Sequence, residues 1–346
     1  MPETSPRKPS SIDVARAASV SQATVSYVLN GKSAGLVSDE TRERVLAAAR
    51  KVGYRPNSLA KALLKGRTNT IGVFVSFLGS RYHADIVLGA QEVLEEHGYS
   101  LLLTASETDH KARASRISFM MNHRVDAILL VGGFYEDMTQ PLCLNEAVAE
   151  RLPCVVVDDA YAHSTVDCVV SDDSQGLALA VNHLKSFGHS RIAYLPAPWK
   201  GTTADARING YIRAMTAAGL DVMPELYAPP AGAGDEIANL ALELLRQPNR
   251  PTALIAANDH MLGYTVRALR ELNLSTPDDV ALVGYGNQEI AMVMELTSVD
   301  QQPRLMGKSA ALRLLARLEQ GDMPHQTIQT PVKLVVRAST VGEAQP

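Results

Sequence analysis

The spacing of apolar positions along the chain changes near residue 68. Before that point, apolar residues recur every three or four positions in short stretches, which predicts a bundle of short helices. Beyond Thr70, short apolar runs alternate with longer stretches of helical periodicity. Strands that alternate with helices of about ten or more residues predict parallel sheets covered on both faces. The pattern therefore predicts an all-α head followed by an α/β body.

The head pattern predicts three helices with hydroxyl caps. Their expected bounds are 12–18 after Ser10 or Ser11, 22–30 after Ser21 and before Gly31, and 39–51 after Ser38. Ala15, Val25 and Val45 fall at positions where the helices could share one core. Polar residues then face outward at the start of the second helix, as in a helix-turn-helix that enters the major groove. The alternative is a helical hairpin that binds a protein partner.

The body pattern contains two sets of alternating elements, which predict two lobes. The apolar runs expected as strands are 71–75, 101–103, 127–131, 154–157, 192–195, 253–256 and 280–283. The stretches expected as helices are 84–97, 109–123, 174–187, 204–219, 235–247 and 261–272. In open α/β sheets, ligands bind beyond the carboxyl ends of the strands, so the body is expected to hold a ligand there.

Charge separates the two parts more sharply than the net charge of −4 suggests. Residues 1–67 hold 12 Lys and Arg against 5 Asp and Glu, so the head carries +7 and the remainder −11. A basic head on an acidic body indicates a polyanion-binding module joined to a domain with another task. Together with the helix pattern, this charge favours DNA as the partner of the head.

Composition excludes other classes of protein. The chain of 346 residues is 46% hydrophobic and has no stretch of about 18 apolar residues, so no membrane span and no membrane partner are expected. Its first residues lack the apolar core of a secretory signal. Cys143, Cys154 and Cys168 form no C-x-x-C pair, which indicates buried thiols in a reducing cytoplasm.

Motifs for catalysis are absent from the sequence. It has no G-x-x-x-x-G-K-[ST], no G-x-S-x-G and no H-E-x-x-H, and Gly132-Gly133 is better interpreted as a turn. His183 and His189 could bind a metal, but no third ligand is spaced nearby, which favours a structural helix-to-strand turn. We therefore expect no catalytic residues, no metal and no cofactor, and hence no enzyme.

Several motifs resemble those of the LacI/GalR family of bacterial transcriptional regulators. In the head these are residues 12–15, Val20-Ser21, 24–26, Leu29-Asn30, 53–57 and 60–63. In the body they include Asp172-Asp173, Gly188-His189, residues 207–211, residues 258–261 and residues 283–285. The resemblance covers the chain to about Val341 and implies a helix-turn-helix head, a hinge helix and a two-lobed body similar to periplasmic binding proteins.

The resemblance implies domain boundaries. They are 9–56 for the DNA-binding domain, 57–68 for the hinge and 69–341 for the effector-binding and dimerisation domain. Within the body, the first lobe is expected to cover about 69–171 and 299–322, and the second about 172–298 and 323–341.

The same resemblance implies which residues contact DNA. They are Ser21, Gln22, Ala23, Thr24, Ser26, Tyr27, Asn30, Asn57, Ala60 and Leu63. Many members of the family carry Arg where this chain has Tyr27, so the usual half-site sequence does not carry over. Residues 57–65 lie between Pro56 and Gly66 and would form only a marginal isolated helix. In the family, paired hinge helices enter the minor groove and a leucine matching Leu63 wedges a base step; the alternative is that Leu63 packs on the body.

The resemblance also implies a ligand cleft between the lobes. Its expected lining is Tyr82, Ile86, Asp158, Arg207, Asn258 and Gln301. The alternative for Asp158 and Arg207 is a surface ion pair. Many members have an aspartate where this chain has Gly286, so the ligand either lacks the matching donor or is contacted there by Asn287 or a water.

Taken together, these features predict a sequence-specific transcriptional regulator, most often a repressor in this family. Its expected partners are a palindromic DNA operator, a small-molecule effector and a second copy of the chain, because one head offers too few base contacts for a specific site. It is expected in the bacterial cytoplasm, at the nucleoid. A solute-binding protein without a DNA role is the alternative, and the basic head disfavours it.

Overall fold

The computed structural model describes residues 9–30, 36–54, 66–105, 110–132, 142–161, 165–198, 201–223 and 234–342. The chain divides into two compact units, Met1–Thr68, called the head, and Asn69–Pro346, called the body. The predicted hinge helix over 57–65 and the predicted turn at Gly31 lie outside the described residues.

The head contains three helices, each preceded by a serine. They are α1 Ser11–Ala18, α2 Gln22–Leu29 and α3 Asp39–Val52, within one residue of the predicted bounds. Ser10, rather than Ser11, caps α1, since its backbone N–H donates to Asp13 Oδ2 at 2.8 Å. The hydroxyls of Ser21 and Ser38 accept backbone N–H groups of α2 and α3 at 3.1 and 3.3 Å. These bonds satisfy donors that the first turn of a helix leaves open.

Small apolar side chains from all three helices form the core of the head. The buried members are Val14, Ala15, Ala18, Val25, Val28, Val45, Ala48 and Ala49. Further apolar residues are half-buried against this cluster, among them Val20, Leu29, Leu46 and Val52. Full burial of a side chain such as Val25 stabilises by about 1.5–3 kcal/mol, so a core this small leaves little tolerance for cavities.

The body is built from eleven strands and ten α-helices in its described residues. The strands are β1 Thr70–Val75, β2 Ser100–Ala105, β3 Ala127–Val131, β4 Cys154–Val157, β5 Asp167–Ser171, β6 Ile192–Leu195, β7 Ala253–Ala256, β8 Ala281–Tyr285, β9 Thr297–Asp300, β10 Thr327–Thr330 and β11 Lys333–Val335. The helices are α4 Arg81–Glu96, α5 His110–Asn122, α6 Asn145–Ala149, α7 Asp173–Ser186, α8 Thr202–Ala217, α9 Asp235–Leu245, α10 Asp259–Glu271, α11 Glu289–Val293, α12 Pro303–Gln320 and α13 Ala338–Val341.

Two sheets define the two lobes. The first sheet has the order β10-β5-β4-β3-β1-β2, and all its pairs are parallel. The second has the order β11-β9-β8-β7-β6, in which β11 pairs antiparallel with β9. Strands β3, β4, β6 and β7 are buried along their whole length, as expected for parallel strands with both faces covered. The ligand-binding end of each sheet is therefore the end where its parallel strands finish.

The expected boundary between the lobes was wrong after α12. Residues 323–341 were expected in the second lobe, but β10 pairs with β5 in the first sheet. The buried Asp167 carboxylate fixes this segment, because it accepts the Gln326 N–H at 2.9 Å and forms an ion pair with Arg313 at 2.9 Å. The chain thus returns to the second sheet only at β11, and β9 lies in the second sheet as far as Asp300.

Helices α4 and α12 cross closely beneath the first sheet because each carries a glycine at the crossing. A methyl group on Gly89 would overlap the carbonyl oxygen of Arg304, and one on Gly307 would overlap that of Ile86. Backbone oxygens cannot turn away as a side chain can, so these two positions require the absence of Cβ.

We expect Gly307→Ala to lower the stability of the body by about 1–3 kcal/mol, because the two helices must separate. Gly263→Ala in α10 is the matched control, since its methyl would meet only the flexible tip of Ile290 at 3.2 Å. That control should be neutral or stabilising by up to about 1 kcal/mol, because Ala favours helix over Gly. Urea unfolding monitored by circular dichroism measures both, and equal effects would contradict the close-crossing argument.

Candidate functional site

The exposed face of α2 is the candidate DNA-reading surface of the head. Gln22, Ala23, Ser26 and Tyr27 are exposed on this face, while the opposite face is buried in the core. The Tyr27 side chain is 45% exposed despite its size, which a core role would not explain. A hydroxyl, an amide and a small residue at the start of a helix can reach base edges in a major groove.

Several of the residues predicted to contact DNA already form hydrogen bonds within the head. Ser21 and Thr24 bond to each other as part of the cap, and Asn30 Nδ2 donates to the Ser26 carbonyl at 2.8 Å. Gln22 Nε2 donates to the Ser11 hydroxyl at 2.9 Å, across the turn between α1 and α2. The other three predicted contacts, Asn57, Ala60 and Leu63, lie outside the described residues.

A cavity of about 940 Å³ lies between the two lobes of the body. Its polar lining comes from positions just beyond strands: Ser76 after β1, Asp158 after β4, Asn258 after β7 and Gln301 after β9. This size is within the range of about 300–1,000 Å³ typical of small-molecule sites.

Five of the six predicted cleft residues line this cavity: Tyr82, Asp158, Arg207, Asn258 and Gln301. The sixth, Ile86, was wrongly placed there. It lies one turn beyond Tyr82 on α4 and is fully buried in the hydrophobic core of the first lobe. The helix turns it toward α12, where its carbonyl faces Gly307, instead of toward the cavity.

A chain of hydrogen bonds joins the wall residues of the first lobe. Gln301 Nε2 donates to Tyr82 Oη at 3.0 Å and to Ser171 Oγ at 2.9 Å. Tyr82 Oη in turn donates to Asp158 Oδ1 at 2.9 Å. Gln301 and Tyr82 are buried, so each side chain is held in one orientation by partners that water does not replace.

Arg207 on α8 is buried with only 5% of its surface exposed. Its Nη1 donates to the Ala257 carbonyl at 2.7 Å, its Nε lies 3.5 Å from Asp173 Oδ1, and its guanidinium lies 4.2 Å above the Tyr285 ring. Burial alone would lower its pKa, but the carboxylate of Asp173 outweighs this and raises it, so Arg207 stays charged. The alternative of a surface ion pair between Asp158 and Arg207 was therefore wrong, because Arg207 pairs with buried Asp173.

Burial shifts the pKa values of three titratable side chains in the cavity lining. It raises the pKa of Asp158 to about 7, and the positive charge of Arg207 only partly opposes this shift. Burial also raises the pKa of Tyr82 well above its ordinary value, with the Asp158 carboxylate adding to the effect. The pKa of His83 is lowered by burial, so that ring is neutral at pH 7.

The loop after β8 is held by the buried carboxylate of Asp259. Asp259 Oδ2 accepts the Gln288 N–H at 2.7 Å and Oδ1 accepts the Ser298 hydroxyl at 2.6 Å. Gly286 has φ +112°, a backbone conformation that favours glycine. Asn287, one of the alternatives for a contact beside Gly286, does not line the cavity, and its amide oxygen accepts Arg337 Nη2 at 2.6 Å.

Sequence reasoning missed several residues of the lining. They are Phe77, His83, Arg113, His260, Tyr264 and Gln288. Two of them lie within quoted segments or beside them: His260 follows the cap residue Asn258, and Gln288 follows Gly286 by two positions. Both residues follow the carboxyl ends of strands β7 and β8 closely, and this position could have identified them as lining residues from the sequence.

The two histidines considered as metal ligands each lie within hydrogen-bond distance of a threonine side chain. His183 Nε2 lies 2.8 Å from Thr340 Oγ1, and His189 Nδ1 lies 2.9 Å from Thr252 Oγ1. Within the described residues, no group of three His, Cys, Asp or Glu side chains is arranged to hold a metal. The three cysteines, all within the described residues, are buried and form no disulfide. Among the described helices, none combines the length and hydropathy that a membrane crossing requires.

Comparison with known proteins matches both parts of the chain. Residues 12–57 match the family of bacterial regulatory proteins called the lacI family, and residues 181–340 match a periplasmic binding protein-like domain. The ribose operon repressor of Escherichia coli is 32% identical over 94% of this chain and 98% of its own. The transcriptional repressor PurR of Mannheimia succiniciproducens is 30% identical over 94% and 97%.

Solved structures show the same architecture. A lac repressor dimer bound to operator and the anti-inducer ONPF has a TM-score of 0.83 at 26% identity, over 96% of this chain and 99% of that one. A complex of the regulator CelR with cellobiose has a TM-score of 0.69 at 30% identity, over the same shares.

A helix-turn-helix head on a two-lobed α/β body with an inter-lobe cavity defines a DNA-binding transcriptional regulator, not an enzyme. The chain belongs to the lacI family of bacterial regulatory proteins.

The raised pKa of Asp158 predicts a pH dependence of stability. Folding keeps this carboxyl protonated between about pH 4 and pH 7, where the unfolded chain has already released the proton. Stability should therefore fall as the pH rises through this window, by up to about 4 kcal/mol, and stay level above it.

Asp158→Asn should remove this fall, because an amide cannot ionise, and the variant should exceed the natural protein in stability at pH 8. Urea unfolding at a series of pH values measures the slope. Asp205→Asn, an exposed site on α8, is the control that should keep the slope. An unchanged slope in Asp158→Asn would contradict the assignment.

Proposed function

We propose that this protein is a ligand-controlled repressor that binds a palindromic operator as a homodimer, at the nucleoid in the bacterial cytoplasm. One observation carries the proposal. The same chain joins a basic three-helix head, whose second helix exposes a polar face, to a body with a cavity at the ends of its strands. A solute-binding protein would not need the head.

The relatives support the repressor role, the operator, the dimer and the small-molecule effector. Two of them are named repressors, of the ribose operon and as PurR. The lac repressor structure is a dimer bound to an operator and an anti-inducer, and the CelR structure is bound to cellobiose. Two-fold proteins bind two-fold operators, because each head reads one half-site.

In this proposal, Gln22, Ala23 and Tyr27 read bases, and their exposure on α2 supports that role. Ser21, Thr24, Ser26 and Asn30 position the helix on the duplex. The hinge contributes Asn57, Ala60 and Leu63 in the minor groove, within domain limits of 9–56, 57–68 and 69–341.

The effector site of the proposal is the body cavity, with contacts from Tyr82, Asp158, Arg207, Asn258 and Gln301. These residues come from both lobes, so a ligand that contacts all of them prefers one lobe arrangement over another. The change would reach the DNA through the hinge 57–65.

Selection of bound sequences from a random DNA pool tests the proposed function. The full-length protein should enrich a palindrome and bind it about 10³-fold or more tightly than random DNA. One half-site alone should bind far more weakly than the palindrome, because it engages one head of the dimer. Equal binding to half-site and palindrome, or no enrichment, would overturn the proposal.

Tyr27→Ala should relax the preference at one position of each half-site, at a cost of about 1–3 kcal/mol on the selected operator. Tyr27→Phe keeps the ring and separates ring contact from the hydroxyl bond. Titration of the selected operator and of random DNA measures the effect. An equal loss on both DNAs would place Tyr27 on the phosphate backbone or in the core instead.

Leu63→Ala and Arg207→Ala should affect different properties, the first operator binding and the second the response to ligand. Leu63→Ala should weaken operator binding by removing the wedge and leave effector affinity of the DNA-free protein unchanged. Arg207→Ala should keep operator binding but abolish the ligand response, which typically changes affinity about 5–150-fold. Calorimetry and DNA titration measure the two properties. Equal loss of ligand binding in both variants would make the hinge part of the pocket.

A further inference from the structure

We propose that the ligand of the body cavity is a small organic acid, whose carboxylate binds the wall formed by the second lobe. This inference rests on the proposed function for the cavity, and it adds the chemical class of the ligand. It comes from the amide donors that the structure leaves free at Asn258 and Gln288, with the positive charge of Arg207 in the same cavity.

Asn258 presents its amide N–H groups to the cavity. The residue caps α10, and its Oδ1 accepts the backbone N–H of Met261 at 3.0 Å. The acceptor side of this amide is therefore used within the helix cap. Since Asn258 also lines the cavity, the Nδ2 donors are what it can offer to a ligand.

Gln288 also presents hydrogen-bond donors to the cavity. Its Oε1 lies 3.0 Å from His260 Nε2, which leaves its amide nitrogen on the other side. The position of this residue is fixed by its backbone N–H, which donates to buried Asp259 at 2.7 Å. Gln288 therefore offers donors as well.

Gly286 makes room for the Gln288 amide. A methyl group at residue 286 would lie 3.2 Å from Gln288 Nε2 and 3.4 Å from its Cγ, so the Gln288 side chain would have to shift by a few tenths of an ångström. The backbone at residue 286, with φ +112°, also disfavours any side chain there.

Arg207 adds a positive charge beside these amides. One N–H of its guanidinium is used by the Ala257 carbonyl. The paired carboxylate oxygen, Asp173 Oδ1, already accepts the hydroxyls of Tyr285 at 2.7 Å and Ser171 at 2.9 Å. Arg207 Nε lies 3.5 Å from Asp173 Oδ1 without a hydrogen bond, so the two groups are held together by charge.

The lining of the cavity has more cationic than anionic side chains. Asp158 is the one carboxylate among the described lining residues, and burial raises its pKa to about 7. Two arginines, Arg113 and Arg207, line the same cavity. A carboxylate offers only acceptors and matches planar N–H donors in pairs, whereas each sugar hydroxyl also needs an acceptor.

Aromatic side chains of the first lobe define the other end of the ligand. Phe77 is 46% exposed and lines the cavity with Tyr82. Exposed aromatic surface of this size favours an apolar or ring-shaped body on the ligand. The cavity therefore fits a ring or short chain that carries one carboxylate.

Matched pairs of acids and neutral compounds test this inference on the full-length protein. The pairs are benzoate with benzyl alcohol, galacturonate with galactose, and gluconate with glucitol, measured by thermal unfolding and calorimetry. At least one acid should bind and raise the unfolding temperature, while its neutral partner should not. The inference is overturned if no acid binds, or if a neutral partner binds as tightly as its acid.

Two variants test whether Gln288 supplies the donors. Gln288→Glu should weaken the acid that binds by about 10–100-fold or more, since a charge-assisted bond worth about 1.5–3 kcal/mol becomes a repulsion. Gln288→Met, without charge, should cause a smaller loss. Gln175→Glu at an exposed site of α7 is the matched control and should leave the affinity unchanged. Unchanged affinity in Gln288→Glu would overturn the inference.

Operator titration with the same compounds separates this inference from the proposed function. An acid that binds without changing operator affinity would uphold the ligand class and overturn the regulatory role. A neutral sugar that binds and changes operator affinity would uphold the role and overturn the ligand class.

Discussion

The buried carboxylate of Asp173 is the point on which the inter-lobe region depends. It accepts hydroxyls from Ser171 at 2.9 Å and Tyr285 at 2.7 Å, and it is the counter-charge of Arg207. Removing one member of such a buried group leaves an uncompensated charge, at a cost of about 3–5 kcal/mol. Because Ser171 ends β5 and Asp173 begins α7, these bonds fix the segment where the chain passes from the first lobe to the second.

The same network prepares the cavity before any ligand arrives. Ser171 also accepts from Gln301, Gln301 donates to Tyr82, and Tyr82 donates to Asp158, so one line of bonds runs along the wall. On the second lobe, Asp259 holds Gln288 in a comparable way. Side chains held by such partners lose little freedom on binding, and so the ligand meets a preorganised site. The raised pKa of Asp158 is a consequence of the burial that this arrangement imposes.

The regular elements were predicted well where apolar residues form the pattern, and poorly where contacts between distant segments of the chain decide. The helices of the head and the strands 127–131 and 154–157 follow from periodicity and caps alone. Strand β10, with the sequence Thr-Ile-Gln-Thr, lacks an apolar run, and only its pairing with β5 places it in the first sheet. In the cavity, Ile86 and Gln288 were misjudged for a related reason. Neighbouring positions of a helix or loop point in different directions, which spacing from a motif cannot resolve.

The two walls of the cavity differ in polarity, and this difference bears on how ligand binding could change the arrangement of the lobes. The free donors at Asn258 and Gln288 belong to the second lobe, whereas Phe77 and Tyr82 belong to the first. A ligand held by only one wall would bind equally well whether the lobes were close or apart, and it would shift nothing. A ligand whose charged and apolar ends engage opposite walls must favour one arrangement, and by reciprocity that arrangement must favour the ligand. In the proposed site, the residues that would determine ligand chemistry are thus the residues that would allow binding to change the arrangement of the lobes.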